Sequence, residues 1–168
     1  HTLEIETGFI GRGQFGEVKK GRFRWTDVGE WIPVAVKLCI LPADGAGGDD
    51  FIAEINVMRS LQSFAEHQNV VQMIAFDTQN QLKPQLILRL AAGGSLLSLL
   101  QSKRGPPRGL AGKELVKFAV DVCNGMVFVS DHHFVHRDLA ARNVLIGIDG
   151  SCQVADFGLS QNISNNNY

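Results

Sequence analysis

The sequence predicts an α+β chain: a five-stranded antiparallel sheet with one helix over residues 1–90, a hinge at 91–94, and the beginning of a mainly helical portion over 95–168. Three observations carry this expectation. Short runs rich in Val, Ile and Phe recur before residue 90 and are separated by glycine and polar turns, the pattern of strands joined as hairpins. Two longer stretches place apolar residues three and four apart, as a helix with one buried face requires. Between them Ala91-Ala92-Gly93-Gly94-Ser95 interrupts both patterns and marks the domain boundary.

Residues 8–40 read as strand, glycine turn, strand, loop, strand. Phe9-Ile10 leads into Gly11-Arg12-Gly13-Gln14-Phe15-Gly16, Glu17-Val18-Lys19-Lys20-Gly21 continues, and Pro33-Val34-Ala35-Val36-Lys37-Leu38 is a third β-rich run. Three glycines in six residues make ordinary hairpin turns as readily as nucleotide sites. A dinucleotide fingerprint needs a helix directly after the glycines, and the strand-like continuation disfavours it. In a hairpin the same glycines can bring backbone N–H groups onto a triphosphate, with Phe15 at the tip shielding the phosphates from water. Lys37 closes an apolar run, where an isolated lysine is either a snorkelling side chain or, given an acidic partner, a ligand.

After a Gly/Asp-rich link over 41–50, Asp49 or Asp50 caps a helix in which Phe51, Ile55, Met58 and Gln62 follow helical spacing. Glu54 is offset by one residue and shares a face with Met58 and Leu61. It is either a rim residue or, seventeen positions after Lys37, that lysine's partner. Val70 to Phe76 and Gln85 to Leu90 complete the sheet around the polar turn Asp77 to Pro84. Beyond the hinge, Leu96 to Lys103 forms a short helix, Gly105 to Gly109 a loop, and Lys113 to Ser130 a longer helix. Its stripe of Leu115, Phe118, Ala119, Val122, Met126 and Val129 reads as core.

The densest chemistry lies near the end. His136-Arg137-Asp138-Leu139-Ala140-Ala141-Arg142-Asn143 is followed, thirteen residues after Asn143, by Asp156-Phe157-Gly158. Adjacent Arg and Asp often make a solvated turn. Here Phe134-Val135 runs in, Val144-Leu145-Ile146 runs out, and Val154-Ala155 precedes the second acid, so the polar groups sit at the ends of short apolar strands, where folds display chemistry.

Composition removes several function classes. Sixteen Lys and Arg against seventeen acids give a net charge of −1, and no basic run favours nucleic acid, so phosphate chemistry must be local. Cys39, Cys123 and Cys152 lack Cys-x-x-Cys spacing and lie in apolar runs, which reads as reduced, buried thiols in the cytosol rather than a disulfide or zinc site. No apolar run approaches the roughly 20 residues that span a bilayer, and no signal peptide opens the chain, so this segment is expected to make no membrane contact.

Gly11-x-Gly13-x-x-Gly16-x-Val18, Val34-Ala35-Val36-Lys37, Glu54, His136-Arg137-Asp138 through Asn143, and Asp156-Phe157-Gly158 match, in order and kind, the motifs of eukaryotic protein kinases. The chain resembles the front part of such a domain. Asp138-Leu139-Ala140-Ala141-Arg142-Asn143 resembles the tyrosine kinase group, in which Arg142 takes over from a lysine that serine/threonine kinases carry at position 140. The resemblance implies a kinase N-lobe over 1–90 and a partial C-lobe over 95–168 that runs through the catalytic loop into the start of the activation loop.

It also implies ATP with Mg2+ or Mn2+ as cofactors and a tyrosine-bearing protein or peptide as substrate. Lys37, held by Glu54, would grip the α- and β-phosphates, Asn143 and Asp156 would hold the metal, and Asp138 would deprotonate the tyrosine hydroxyl with Arg142 compensating charge. Val18, Ala35 and Leu145 would sandwich adenine, the backbone of Arg89, Leu90 and Ala91 would hydrogen-bond it, and Leu88 would gate the pocket's rear. Met58, Met73, His136 and Phe157 fall where the family stacks its regulatory spine, and each is equally plain core. Tyr168 resembles an activation-loop phosphosite or is a terminal tyrosine.

The family usually has an acid where Arg89 stands, which matters little for main-chain recognition. The Ala-Pro-Glu anchor and the following helices are not in the sequence, so the segment alone is expected to be inactive. The motif spacing resembles receptor tyrosine kinases, implying a cytosolic segment of a plasma-membrane receptor and a kinase dimer partner through it. Two rival readings stay open: a truncated or pseudokinase-like regulatory module that binds ATP or partners without catalysis, and a serine/threonine or dual-specificity kinase.

Overall fold

The computed structural model describes residues 1–13, 16–39, 48–80, 83–103 and 109–164. The expectations placed on Gln14, Phe15, most of the 41–50 link, the 105–108 loop and Tyr168 lie outside the described residues. Two compact units form: residues 1–59 with 72–90, and 60–71 with 91–168. The first unit ends at Leu90 and the second resumes at Ala91, with residues 60–71 in the second unit.

The first unit is built on β1 (Thr2–Gly13), β2 (Gly16–Arg24), β3 (Ile32–Cys39), β4 (Met73–Asp77) and β5 (Gln85–Arg89), in the order β1-β2-β3-β5-β4. All neighbours are antiparallel. β3 shows why the strands form: the β-branched Val34 and Val36 alternate with Ala35 and Lys37, so one face enters an apolar core while the other carries chemistry. Phe23, Val34, Val36 and Ile87 fill that core, with Leu3, Ile32, Leu38, Ile74 and Ala75 against it.

Helix α1 (Gly48–Phe64) starts one residue before the two expected caps, so Asp49 and Asp50 lie in its first turn, where carboxylates favour the positive end of the helix dipole. Phe51, Ile55, Met58 and Leu61 are buried at helical spacing.

The second unit contains α2 (Leu96–Ser102), α3 (Gly112–Asp131), β6 (Phe134–Val135), a single 3-10 turn (Ala141–Asn143), β7 (Val144–Ile146), β8 (Cys152–Val154) and β9 (Gln161–Asn162). Ser95 caps α2, its Oγ accepting the Ser98 N–H at 3.2 Å. β7 pairs with β8 and β6 with β9, both antiparallel. Residues 69–71 run beside β8 in parallel: Val154 N–H donates to Asn69 O and Val71 N–H to Val154 O.

The stripe expected on α3 is rotated. Phe118, Gly125 and Val129 are buried, Val122 and Met126 half-buried, and Leu115 and Ala119 exposed. Gly125 explains the rotation: a Cβ there would lie 2.4 Å from Asn69 O, so only glycine lets that backbone approach the helix. The rotation also turns Cys123 outward, correcting the expectation of three buried thiols; Cys39 and Cys152 are buried. Among the described residues, no helix is long and apolar enough to cross a membrane.

Candidate active site

Lys37 and Glu54 meet within the first unit. The lysine Nζ donates to both carboxylate oxygens, at 2.8 and 2.6 Å, and the two residues are only 6% and 1% exposed. Glu54 is therefore part of the buried stripe of α1 rather than its rim. A charge this deep is tolerated only when paired and hydrogen-bonded, so a fixed ammonium is what the geometry provides. Beside it, burial pushes the Cys39 thiol up despite the opposing pull of Lys37, leaving a poor nucleophile.

The glycines lie on the hairpin of β1 and β2. Gly11 pairs with Val18 and Gly13 with Gly16, and a strand rather than a helix follows. Val18 pairs with Lys37, and Ala35 with Leu88. Arg89 N–H donates to Gln72 O at 2.8 Å and Leu90 N–H to Pro33 O at 3.1 Å, so two of the three backbone donors expected to meet adenine are engaged within the sheet. The Arg89 side chain bonds Gln72 Oε1 at 2.6 Å. Ala91 belongs to the second unit, and so does Leu145, half-buried on β7.

The second unit gathers Asp138, Arg142 and Asn143 within hydrogen-bonding distance. Arg142 Nη2 contacts Asp138 Oδ1 at 2.5 Å, and Asn143 Nδ2 donates to Asp138 Oδ2 at 2.8 Å and to its backbone oxygen at 2.9 Å. Each carboxylate oxygen has one partner and keeps a lone pair, and the side chain is 31% exposed, so a hydroxyl can still reach it. Buried His136 braces the turn from below: Nδ1 accepts the Asp138 N–H at 3.3 Å, which puts the ring proton on Nε2, toward Ala155 O at 3.0 Å. Its ring lies 5.0 Å from that of fully buried Phe157. Met58 and Met73 lie in the first unit, on α1 and β4.

Asp156 follows β8, and Ala155 N–H donates to Asn143 O at 2.9 Å, tying the two expected metal ligands to one ladder. Asp156 has φ 63°, a left-handed conformation that non-glycine residues hold only where the surroundings enforce it. These residues fit Mg2+. Asn143 is 7% exposed, and its Nδ2 bonds to Asp138 leave Oδ1 as a hard oxygen donor, the ligand type that Mg2+ takes, as the Asp156 carboxylate also is. Among the described residues no three His, Cys, Asp or Glu groups cluster as a metal cage; Mg2+ characteristically takes one or two protein oxygens and completes its shell with phosphates and water.

Arg137 has a role that sequence reasoning missed. It also holds φ 63°, and its guanidinium donates to Leu159 O at 2.5 Å and to Gln161 Oε1 at 2.9 Å. It thereby pins the segment after Asp156-Phe157-Gly158 as β9. Its place between His136 and Asp138 was the available signal, but the partners lie more than twenty residues on.

The sequence model of protein tyrosine and serine/threonine kinases matches residues 5–168. The chain is 38% identical to tyrosine-protein kinase SRK2 of Spongilla lacustris over 159 residues, covering 95% of this chain and 40% of that protein. It is 35% identical to tyrosine-protein kinase Fer of Rattus norvegicus, covering 90% of this chain and 17% of Fer. It is 38% identical to the tyrosine-protein kinase transforming protein Fps of avian sarcoma virus (strain PRCII), covering 90% and 26%. The chain thus spans two fifths or less of the length of these relatives. On the motif order, the two-unit architecture and the match across nearly its whole length, the chain belongs to the protein tyrosine and serine/threonine kinase family.

Proposed function

We propose that the chain supplies the nucleotide-binding and catalytic residues of a kinase that transfers the γ-phosphoryl group of ATP to a protein tyrosine, within a longer parent protein. The observation that carries this reading is the Asp138 cluster, in which Arg142 and Asn143 each take one carboxylate oxygen and fix the group's orientation. Asp138 accepts the proton of the tyrosine hydroxyl as the oxygen–phosphorus bond forms and ADP leaves, and Arg142 balances the local charge. Lys37, fixed by Glu54, binds the α- and β-phosphates. Asn143 and Asp156 would hold Mg2+ or Mn2+, which when bound would neutralise phosphate charge.

By their motif positions, Val18, Ala35, Leu88 and Leu145 would contact the adenine, and Gly11, Gly13 and Gly16 the phosphates. Since the Arg89 and Leu90 amides are engaged in the sheet, adenine recognition falls to the Ala91 N–H and the hinge carbonyls. Tyr168 is proposed as a phosphorylation site of the parent. A membrane-receptor parent with a kinase dimer partner rests on motif spacing alone, and the names of the relatives do not carry it.

Radiolabel transfer from γ-labelled ATP to mixed peptide substrates, followed by phospho-amino-acid analysis, tests the reading on the parent protein and on this chain. Label on tyrosine with the parent, lost in Asp138→Asn, is expected, and little or none with the chain alone. Label confined to serine or threonine would replace the tyrosine assignment, and a parent that binds ATP without any transfer would favour a regulatory module.

A further inference from the structure

The β7–β8 hairpin carries both proposed metal ligands, Asn143 just before β7 and Asp156 two residues after β8, yet each of its strands is three residues long. A two-stranded hairpin of that size does not hold itself rigid in water. Its register has to be imposed from outside, and the structure shows how. Asp121, on the half-buried side of α3, accepts the Cys152 N–H at the first residue of β8, at 2.9 Å. The same oxygen, Oδ2, accepts from Lys117 Nζ at 2.8 Å, and Lys117 Nζ also donates to Gly150 O in the turn at 2.9 Å. One helix therefore grips two backbone points of the hairpin through a single carboxylate and ammonium pair. On the other side, Asn69 Nδ2 donates to Cys152 O at 2.9 Å, so this residue is fixed from both flanks.

We propose that Asp121, together with Lys117, is a positioning residue for metal binding: it sets where β8 sits along β7, and hence where the Asp156 carboxylate stands relative to Asn143. The connection is short. From Cys152 the ladder runs through Val154, paired with Val144, to Ala155, whose N–H meets Asn143 O. A shift at Cys152 is carried to Asp156 with little backbone able to absorb it. Groups that orient metal ligands without touching the metal characteristically change metal affinity by about 10–100-fold when removed. This inference rests on the metal role proposed for Asn143 and Asp156.

The test titrates Mn2+ into the parent protein carrying this chain, in the presence of ADP, and reads free Mn2+ by electron paramagnetic resonance alongside kcat and the apparent metal constant. Asp121→Ala loses both hydrogen bonds and is expected to weaken Mn2+ binding about tenfold. Asp121→Asn keeps an oxygen for the Cys152 N–H and is expected to recover most of that loss, with kcat at saturating metal near wild type. Lys117→Met releases the turn and is expected to produce an intermediate weakening; with Asp121→Asn it carries the test should Asp121→Ala not fold. Unchanged Mn2+ affinity in folded Asp121→Ala, or in Lys117→Met if that variant stands in for it, overturns the proposal, as does equal loss in Asp121→Asn and Asp121→Ala. A wild-type parent that binds no Mn2+ with nucleotide overturns the functional reading itself, and this proposal with it.

Discussion

At the scale of single residues, the buried pair of Lys37 and Glu54 is a costly feature of the first unit with a clear consequence. Removing one partner leaves the other charge without compensation in a nearly dry site, which destabilises proteins by about 3–5 kcal/mol. Glu54→Ala is therefore expected to lower the unfolding free energy by about that much, read by urea denaturation. An apolar pair, Lys37→Met with Glu54→Leu, is expected to regain most of the stability and none of the transferase activity, because a buried ion pair gains its worth from function more than from folding. Asp156 and Arg137 are each held at φ 63°, a conformation that costs a non-glycine residue free energy and persists where the surroundings enforce it.

At the scale of elements, the contact of α3 with the segment from His67 to Val71 decides how the second unit holds together. Ordinarily Gly→Ala inside a helix stabilises by about 1 kcal/mol. At Gly125 the new methyl would meet Asn69 O at 2.4 Å and Val154 Cγ2 at 3.0 Å, and overpacking of this kind costs about 1–3 kcal/mol. The steric term wins, so Gly125→Ala is expected to destabilise, and a gain in the denaturation midpoint would show that the segment yields. His67 supplies the pH dependence of the same contact. Its ring stacks on Phe128 at 4.9 Å, its Nδ1 accepts the Asn69 N–H, and burial holds its pKa below the usual 6.5. Because the folded value is depressed, stability is fully present above pH 6.5 and falls as pH drops through that value toward the folded one, where the unfolded chain binds the proton first. His67→Phe keeps the stacking and removes the titration. Its unfolding free energy between pH 7 and 5 is expected to fall less steeply than that of the wild type.

The elements also show what was legible beforehand. β3 and α1 could be read because their apolar residues repeat with the period of the backbone, and the Lys37–Glu54 pair because Glu54 sits on a helical face. That it lies inside the buried stripe could not be read, since an isolated glutamate beside an apolar face is usually at its rim. Nor could β9, nor the break within Val70 to Phe76, which reads as one strand but divides into residues 69–71 beside β8 and β4 from Met73: such short pieces have no period, and they are held by partners distant in sequence, Arg137 for β9 and Val154 for residues 69–71. Asp121 carries no signal in the sequence for the same reason, its partner at Cys152 being thirty-one residues away.

At the scale of the whole molecule, the proposed function divides its tasks between different parts. The first unit would offer a fixed ammonium for phosphates, and the second would offer metal ligands and a carboxylate for the substrate hydroxyl. Those tasks separate experimentally, because under the proposed function Asp138 would act in the chemical step and Asp156 in metal-dependent nucleotide binding. Calorimetric titration of the parent protein with ATP in excess Mg2+, comparing wild type with Asp138→Asn and Asp156→Asn, tests this division most directly. An affinity for Asp138→Asn within about threefold of wild type and a loss of about tenfold or more for Asp156→Asn are expected. Equal affinities for wild type and Asp156→Asn, or a loss confined to Asp138→Asn, would contradict it.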